Sequence, residues 1–85
     1  MLENHATNTM WPIRIVTEQM GLSKTTVYRR ISQKLFPPPV KLGRPSRWPS
    51  DEVLKIIAAY TAGLGEEEIR GLVRQLKQDR QRRNI

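Results

Sequence analysis

The stretch Gly21-Leu22-Ser23-Lys24-Thr25-Thr26-Val27-Tyr28-Arg29-Arg30 carries the punctuation of a helix-turn-helix, from its turn into its second helix. Gly21 can take the left-handed conformation that ends a helix without steric cost. Leu22 is the apolar plug expected between the two helices. Ser23 offers a hydroxyl to the unpaired amides of the next turn, which makes it the N-cap. The second helix is predicted over 24–34. At about 100° per residue, Val27, Ile31 and Leu35 share one face, and Thr25, Thr26, Arg29 and Gln33 centre on the opposite one. Tyr28 and Arg30 fall on the flanks. The first set can pack, the second can look into a groove, and the flanks can reach the groove walls.

Charge sharpens this division. Between Glu18 and Asp51 there is no acidic residue, but there are seven basic ones, at 24, 29, 30, 34, 41, 44 and 47. The whole chain carries a formal charge of +7 over 85 residues. Such a surface favours a polyanion, nucleic acid first and an anionic membrane second. The length allows one small domain and no deep catalytic cleft. No nucleophile–base pair, glycine-rich phosphate loop, paired carboxylates or metal cluster is visible, so an enzyme, a cofactor and a metal are not expected. Glu66-Glu67-Glu68 points around a helix and suits its dipole better than it suits chelation. The absence of cysteine excludes a disulfide framework and fits a reducing compartment. The longest apolar run, Ile56-Ile57-Ala58-Ala59-Tyr60, is far short of the roughly 20 residues that span a bilayer. The first ten residues lack the features of a secretory signal. A cytoplasmic protein acting on the bacterial nucleoid is expected.

Working outward, residues 1–10 read as a polar arm, with the lone His5 in solvent. Ile13, Val16 and Met20 mark one face of a first helix beginning at Pro12. Trp11 is either cover for that helix or an interaction anchor. After the second helix, Phe36-Pro37-Pro38-Pro39 forces an exit and a rigid connector. Val40-Lys41-Leu42, a turn at Gly43-Arg44-Pro45-Ser46, and Arg47-Trp48 read as a two-stranded wing. Phe36 and Trp48 are expected in the core beneath it. Ser50 is read as the cap of a third helix with the stripe Val53, Ile56, Ile57 and Tyr60, closed by Gly63. Gly65 opens a fourth, with the stripe Ile69, Leu72, Val73 and Leu76. The basic run from Lys77 to Arg83 is expected to fray, its charges solvated rather than bound to a DNA backbone. The expected fold is mainly α with a small β-hairpin wing: a winged helix-turn-helix over 11–63 and an extra C-terminal helix and tail over 64–85.

The segment from Ile13 to Val53 resembles the AlpA-like phage and prophage regulators, which belong to the excisionase-type, MerR-like winged helix-turn-helix proteins. The matching text is Ile13-Arg14-Ile15-Val16, Gly21 to Arg29, Leu35-Phe36-Pro37, Val40-Lys41-Leu42-Gly43, Arg47-Trp48 and Glu52-Val53. The resemblance implies a small bacterial DNA-binding regulator. Such proteins act as transcriptional activators or as recombination directionality factors that bend DNA and assist an integrase. Ile15 and Gln19 depart from the family pattern, and the helix from Gly65 onward runs past its usual end.

With the helix over 24–34 in a major groove, Arg29 is the candidate for guanine readout and Gln33 for adenine. Thr25 and Thr26 would touch phosphates or thymine methyls. Ser23 would act through its cap and the free amides beside it. Lys24, Tyr28 and Arg30 would hold the groove walls, although Tyr28 is as well suited to packing. Lys41, Arg44 and Arg47 would follow the backbone from the wing, with one arginine entering a narrow minor groove. Double-stranded DNA is the expected partner, with integrase or RNA polymerase beside it, and the chain itself a monomer or weak homodimer. The competing class is a protein-binding adaptor, docking on an integrase or response regulator through the apolar stripe of the last helix.

Overall fold

The computed structural model describes residues 9–83. The expected arm and His5 lie outside the described residues, apart from Thr9 and Met10. In chain order the elements are β1 (Met10–Trp11), α1 (Ile13–Met20), α2 (Lys24–Ser32), β2 (Val40–Lys41), β3 (Ser46–Pro49), α3 (Ser50–Thr61) and α4 (Glu66–Arg83). The fold is a winged helix-turn-helix with an added C-terminal helix.

The turn between α1 and α2 forms as its residues dictate. Gly21 sits at φ 69°, and the amides of Gly21 and Leu22 both donate to the Thr17 carbonyl, at 2.8 and 3.2 Å. Leu22 is half-buried against the core. Ser23 is extended and its Oγ accepts from the Thr26 amide at 3.1 Å, the N-cap geometry.

Helix α2 ends two residues before the predicted Lys34. Its last turn closes through the amides of Lys34 and Leu35, which donate to the carbonyls of Ile31 and Arg30 at 3.0 and 2.8 Å. Lys34 takes the left-handed conformation, φ 65°, the lone non-glycine to do so among the described residues. The next three residues impose this reversal. Leu35, Phe36 and Pro37 must turn at once into the core, where all three are buried.

The wing is a hairpin of β2 and β3 with Val40 opposite Arg47 and Lys41 opposite Ser46. The Leu42 amide donates to the Pro45 carbonyl at 3.1 Å, so only Gly43 and Arg44 form the turn. Gly43 has φ 74°, as the first position of a II′ turn requires. Ser46, predicted in the turn, therefore belongs to β3. A third strand absent from the sequence prediction, β1, pairs antiparallel on the other side of β3, Trp11 opposite Trp48. It is anchored by the Ser50 amide donating to the Thr9 carbonyl at 2.8 Å. Ser50 is thus the buried first residue of α3 and Pro49 holds the cap position, in place of the Ser50 cap expected.

One core joins the helices, β3 and the connector. Val16, Val27, Leu35, Phe36, Trp48, Val53, Ile56, Ala59, Ile69, Val73 and Leu76 are buried together. Trp48 is fully enclosed and its Nε1 donates to the Pro37 carbonyl at 3.0 Å. Trp11 is half-buried against this cluster and covers it from β1. The triple proline is a connector, with the carbonyls of Pro37 and Pro38 both accepting hydrogen bonds.

The C-terminal helix departs most from expectation. Helix α4 continues to Arg83 instead of fraying from Lys77. Glu68 starts it by accepting from the Gly65 amide at 2.9 Å, half of a capping box. Farther along, Arg80 is tied to Glu52 of α3 and to the Pro38 carbonyl. That bond joins the first turn of α3 to the last turn of α4, so the two helices run antiparallel. Ile69, Val73 and Leu76 of the predicted stripe lie in the shared core, and Leu72 is half-buried against it.

Candidate nucleic-acid interface

Lys24, Thr25, Tyr28, Arg29 and Ser32 form a continuous exposed face on α2, opposite buried Val27. Neither Lys24 nor Arg29 takes part in an ion pair among the described residues. Ser32 was not among the predicted residues. Its position three after Arg29 and four after Tyr28 puts it on the same face, and its Oγ donates to the Arg29 carbonyl at 2.6 Å. Spacing alone would have included it.

Two of the predicted residues are turned elsewhere. Thr26 is half-buried, and its Oγ1 accepts from the Ser23 hydroxyl at 2.9 Å, so it belongs to the cap. Arg30 is half-buried with its guanidinium 5.1 Å from the ring centroid of Tyr60, so it stacks back on α3 instead of reaching a groove wall. The aromatic face offers a cation more there than water would. Gln33 caps the C-terminal end of α2, and its carbonyl accepts from Arg70 Nε at 2.9 Å. Its exposed side chain rims a shallow depression of about 260 Å³ that also includes Arg29 and Glu66. Glu66 places one carboxylate at the edge of the basic face, and Arg70 partly offsets it at 3.8 Å.

Tyr28 ties the helix to the wing. It is 39% exposed, and its ring meets the edge of Trp48 at 6.1 Å and 70°. Packing and exposure are therefore both met by one side chain, since the rest of the ring stays open to solvent. On the wing, Lys41 is exposed and its Nζ donates to Ser46 Oγ at 2.9 Å. Arg44 is exposed at the hairpin tip. Arg47 is half-buried, with Nη1 donating to the Ser46 carbonyl at 3.0 Å, which holds it along the strand.

The ion pairs are segregated from this surface. Those among the described residues use Arg14, Arg70, Arg80 and Arg82 against Glu18, Glu66, Glu67, Glu52 and Asp79. None of the seven cations between 24 and 47 takes part. An unpaired cation keeps its full charge for an external anion, whereas a paired one must first give up its partner.

A small helical core, a helix-turn-helix with a basic second helix and a two-stranded wing define the winged helix-turn-helix fold. The family model of the prophage CP4-57 regulatory protein (AlpA) matches residues 13–55, from the start of α1 into α3. The chain belongs to this family of phage regulatory proteins. No curated protein and no solved structure matches the chain. The matched segment holds the whole helix-turn-helix and wing, and α4 lies beyond it. No helix among the described residues is long and apolar enough to cross a membrane.

Proposed function

We propose that this protein is a sequence-specific regulator that binds double-stranded DNA, with α2 in the major groove and the wing on the adjacent backbone or minor groove. The observation that carries this is the segregation of charge. Every ion pair among the described residues is spent outside the 24–47 segment, leaving its cations other than Arg30, which stacks on Tyr60, for phosphate.

Arg29, at the centre of the exposed face, donates its two parallel N–H bonds to guanine O6 and N7. Thr25 meets a phosphate or a thymine methyl beside it. The amides at the Ser23 cap attract a phosphate at the start of α2. Lys24 and Tyr28 contact the groove walls, and Lys41, Arg44 and Arg47 the backbone under the wing. Gln33 reads at the far end of the helix. Thr26 and Arg30 support the interface from behind, through the cap and the Tyr60 stack. The protein works in the bacterial cytosol on the nucleoid. The same docking serves transcription beside RNA polymerase and prophage excision beside an integrase.

Selection of duplexes from a random library by the purified protein tests this reading. The wild type should enrich a defined motif, and Arg29→Ala should lose preference at one guanine by about 10- to 100-fold with folding intact. A flat selection by the wild type, or an unchanged motif from Arg29→Ala, would overturn it.

A further inference from the structure

Two large apolar residues on the basic surface are exposed, Tyr28 and Leu42, and of these Tyr28 has a ring partner in Trp48. Leu42 is 50% exposed, lies outside the core cluster, and sits directly before the two-residue turn of the wing. Its neighbours Lys41, Gly43 and Arg44 are all exposed. Half of this leucine's surface stays in water beside two cations, and among the described residues it is not part of the core packing. From the geometry of the tip, we infer that Leu42 is an apolar contact residue for the DNA minor groove, resting on the proposed DNA-binding function.

Three observations point to that occupant. The tip is narrow: the Leu42 amide closes on the Pro45 carbonyl at 3.1 Å, leaving only Gly43 and Arg44 beyond it. Gly43 has no side chain, and an added Cβ there would meet nothing within 4 Å, so the turn presents bare backbone to its surroundings. A B-form minor groove is about 6 Å wide, so a helix or a whole two-stranded ribbon is confined to the major groove and only side chains at the very tip of a hairpin enter the minor one. The tip is also held in shape, since Lys41 Nζ bonds Ser46 Oγ at 2.9 Å across the strands. Finally, the flanking charges suit the groove. The potential of the groove draws Arg44 and Lys41 to the phosphates along its edges, and the leucine beside them meets deoxyribose carbons. Tyr28 against Trp48 links this wing to α2, so a helix in the major groove brings the wing to the next groove.

The test uses the full-length protein and a duplex enriched by the wild type. Leu42→Ala should bind that duplex about tenfold more weakly, with an unchanged salt dependence because no charge is removed. Hydroxyl-radical protection of the sugars on the wing side should fade while protection under α2 persists. Netropsin, which occupies the minor groove, should compete with the wild type more than with Leu42→Ala. Equal affinity and equal protection in the variant would overturn the inference while leaving the wild-type motif, and so the DNA-binding function, standing. Sedimentation showing that Leu42→Ala abolishes self-association without weakening DNA contact at the tip would assign the residue to a second copy and overturn it as well. Failure of the wild type to enrich any duplex would remove both.

Discussion

Glu52 and Arg80, 28 residues apart, meet in a two-pronged ion pair, Nη2 to Oε1 at 2.6 Å and Nε to Oε2 at 2.9 Å. The carboxylate is 1% exposed and the arginine side chain 19%. Arg80 Nη2 also donates to the Pro38 carbonyl at 2.7 Å, so one guanidinium fastens α4 to α3 and to the connector ahead of the wing. Removing one partner of a buried pair leaves the other charged and desolvated. Arg80→Ala should therefore destabilise the fold by about 3–5 kcal/mol in urea unfolding. The double change Glu52→Met with Arg80→Leu should cost far less, because no charge is left stranded. A small loss in the single variant would mean that water already reaches Glu52.

Helix α4 supplies Ile69, Val73 and Leu76 to the core, all within 3% of full burial. A chain ending after Leu64 would expose the facing surfaces of Val53, Ile56 and Ala59. Such a truncation keeps the entire family-matched segment yet should show no cooperative thermal unfolding by circular dichroism. Leu76→Ala in the full chain should cost about 2–5 kcal/mol. A truncated protein that melts cooperatively near the wild-type temperature would show that α4 is an accessory and not part of the core.

The parts legible in the sequence are those fixed by local chemistry. Gly21, Ser23, Gly43 and Gly63 each dictate a turn or cap by their own conformational preference or hydrogen bonding, and all four do so where expected. The apolar stripes are equally plain, since 3.6-residue periodicity needs no partner to be seen. The features that escape depend on residues far away. β1 exists because β3 has a second edge that Met10 and Trp11 can pair with, and two residues carry no strand signature. Glu52 reads as an ordinary first-turn acid until Arg80 is placed beside it. Arg30 and Thr26 have the right helical angles for a flank and a groove face, but Tyr60 and Ser23 capture them. The basic tail reads as solvated because charge composition cannot show that one arginine in it is half-buried.

Lys34 illustrates the same point energetically. Lysine favours helix, yet here it sits at φ 65°, which costs a residue with a Cβ about 1 kcal/mol or more. Lys34→Gly removes that strain and adds some entropy to the unfolded chain. With roughly 1–2 kcal/mol of relieved strain set against about 0.4–1 kcal/mol of added unfolded-state entropy, the expected net effect is a gain of about 0.5–1 kcal/mol, read from the shift of the urea midpoint at constant m-value. A loss of stability would show that the lysine side chain contributes more than its backbone conformation costs.

The segregation of charge also predicts how binding responds to salt. Removing a single phosphate contact should lower the slope of log affinity against log salt by about 0.9. Lys24→Ala with Arg44→Ala removes one unpaired cation from α2 and one from the wing tip, both exposed, so folding should be unaffected to within about 0.5 kcal/mol. The slope should fall by about 1.8, while the preferred motif stays the same because neither residue is assigned to a base. Lys55→Ala with Lys77→Ala removes the same net charge from exposed positions on α3 and α4, outside the basic segment. If only total charge mattered, both pairs would weaken binding equally. If the basic face of α2 and the wing is the interface, the first pair should change the slope and the second leave it nearly unaltered. Measured by fluorescence anisotropy between about 50 and 200 mM salt (a range that spans roughly tenfold or more in affinity), equal slopes for the two pairs would rule out this face as the binding surface.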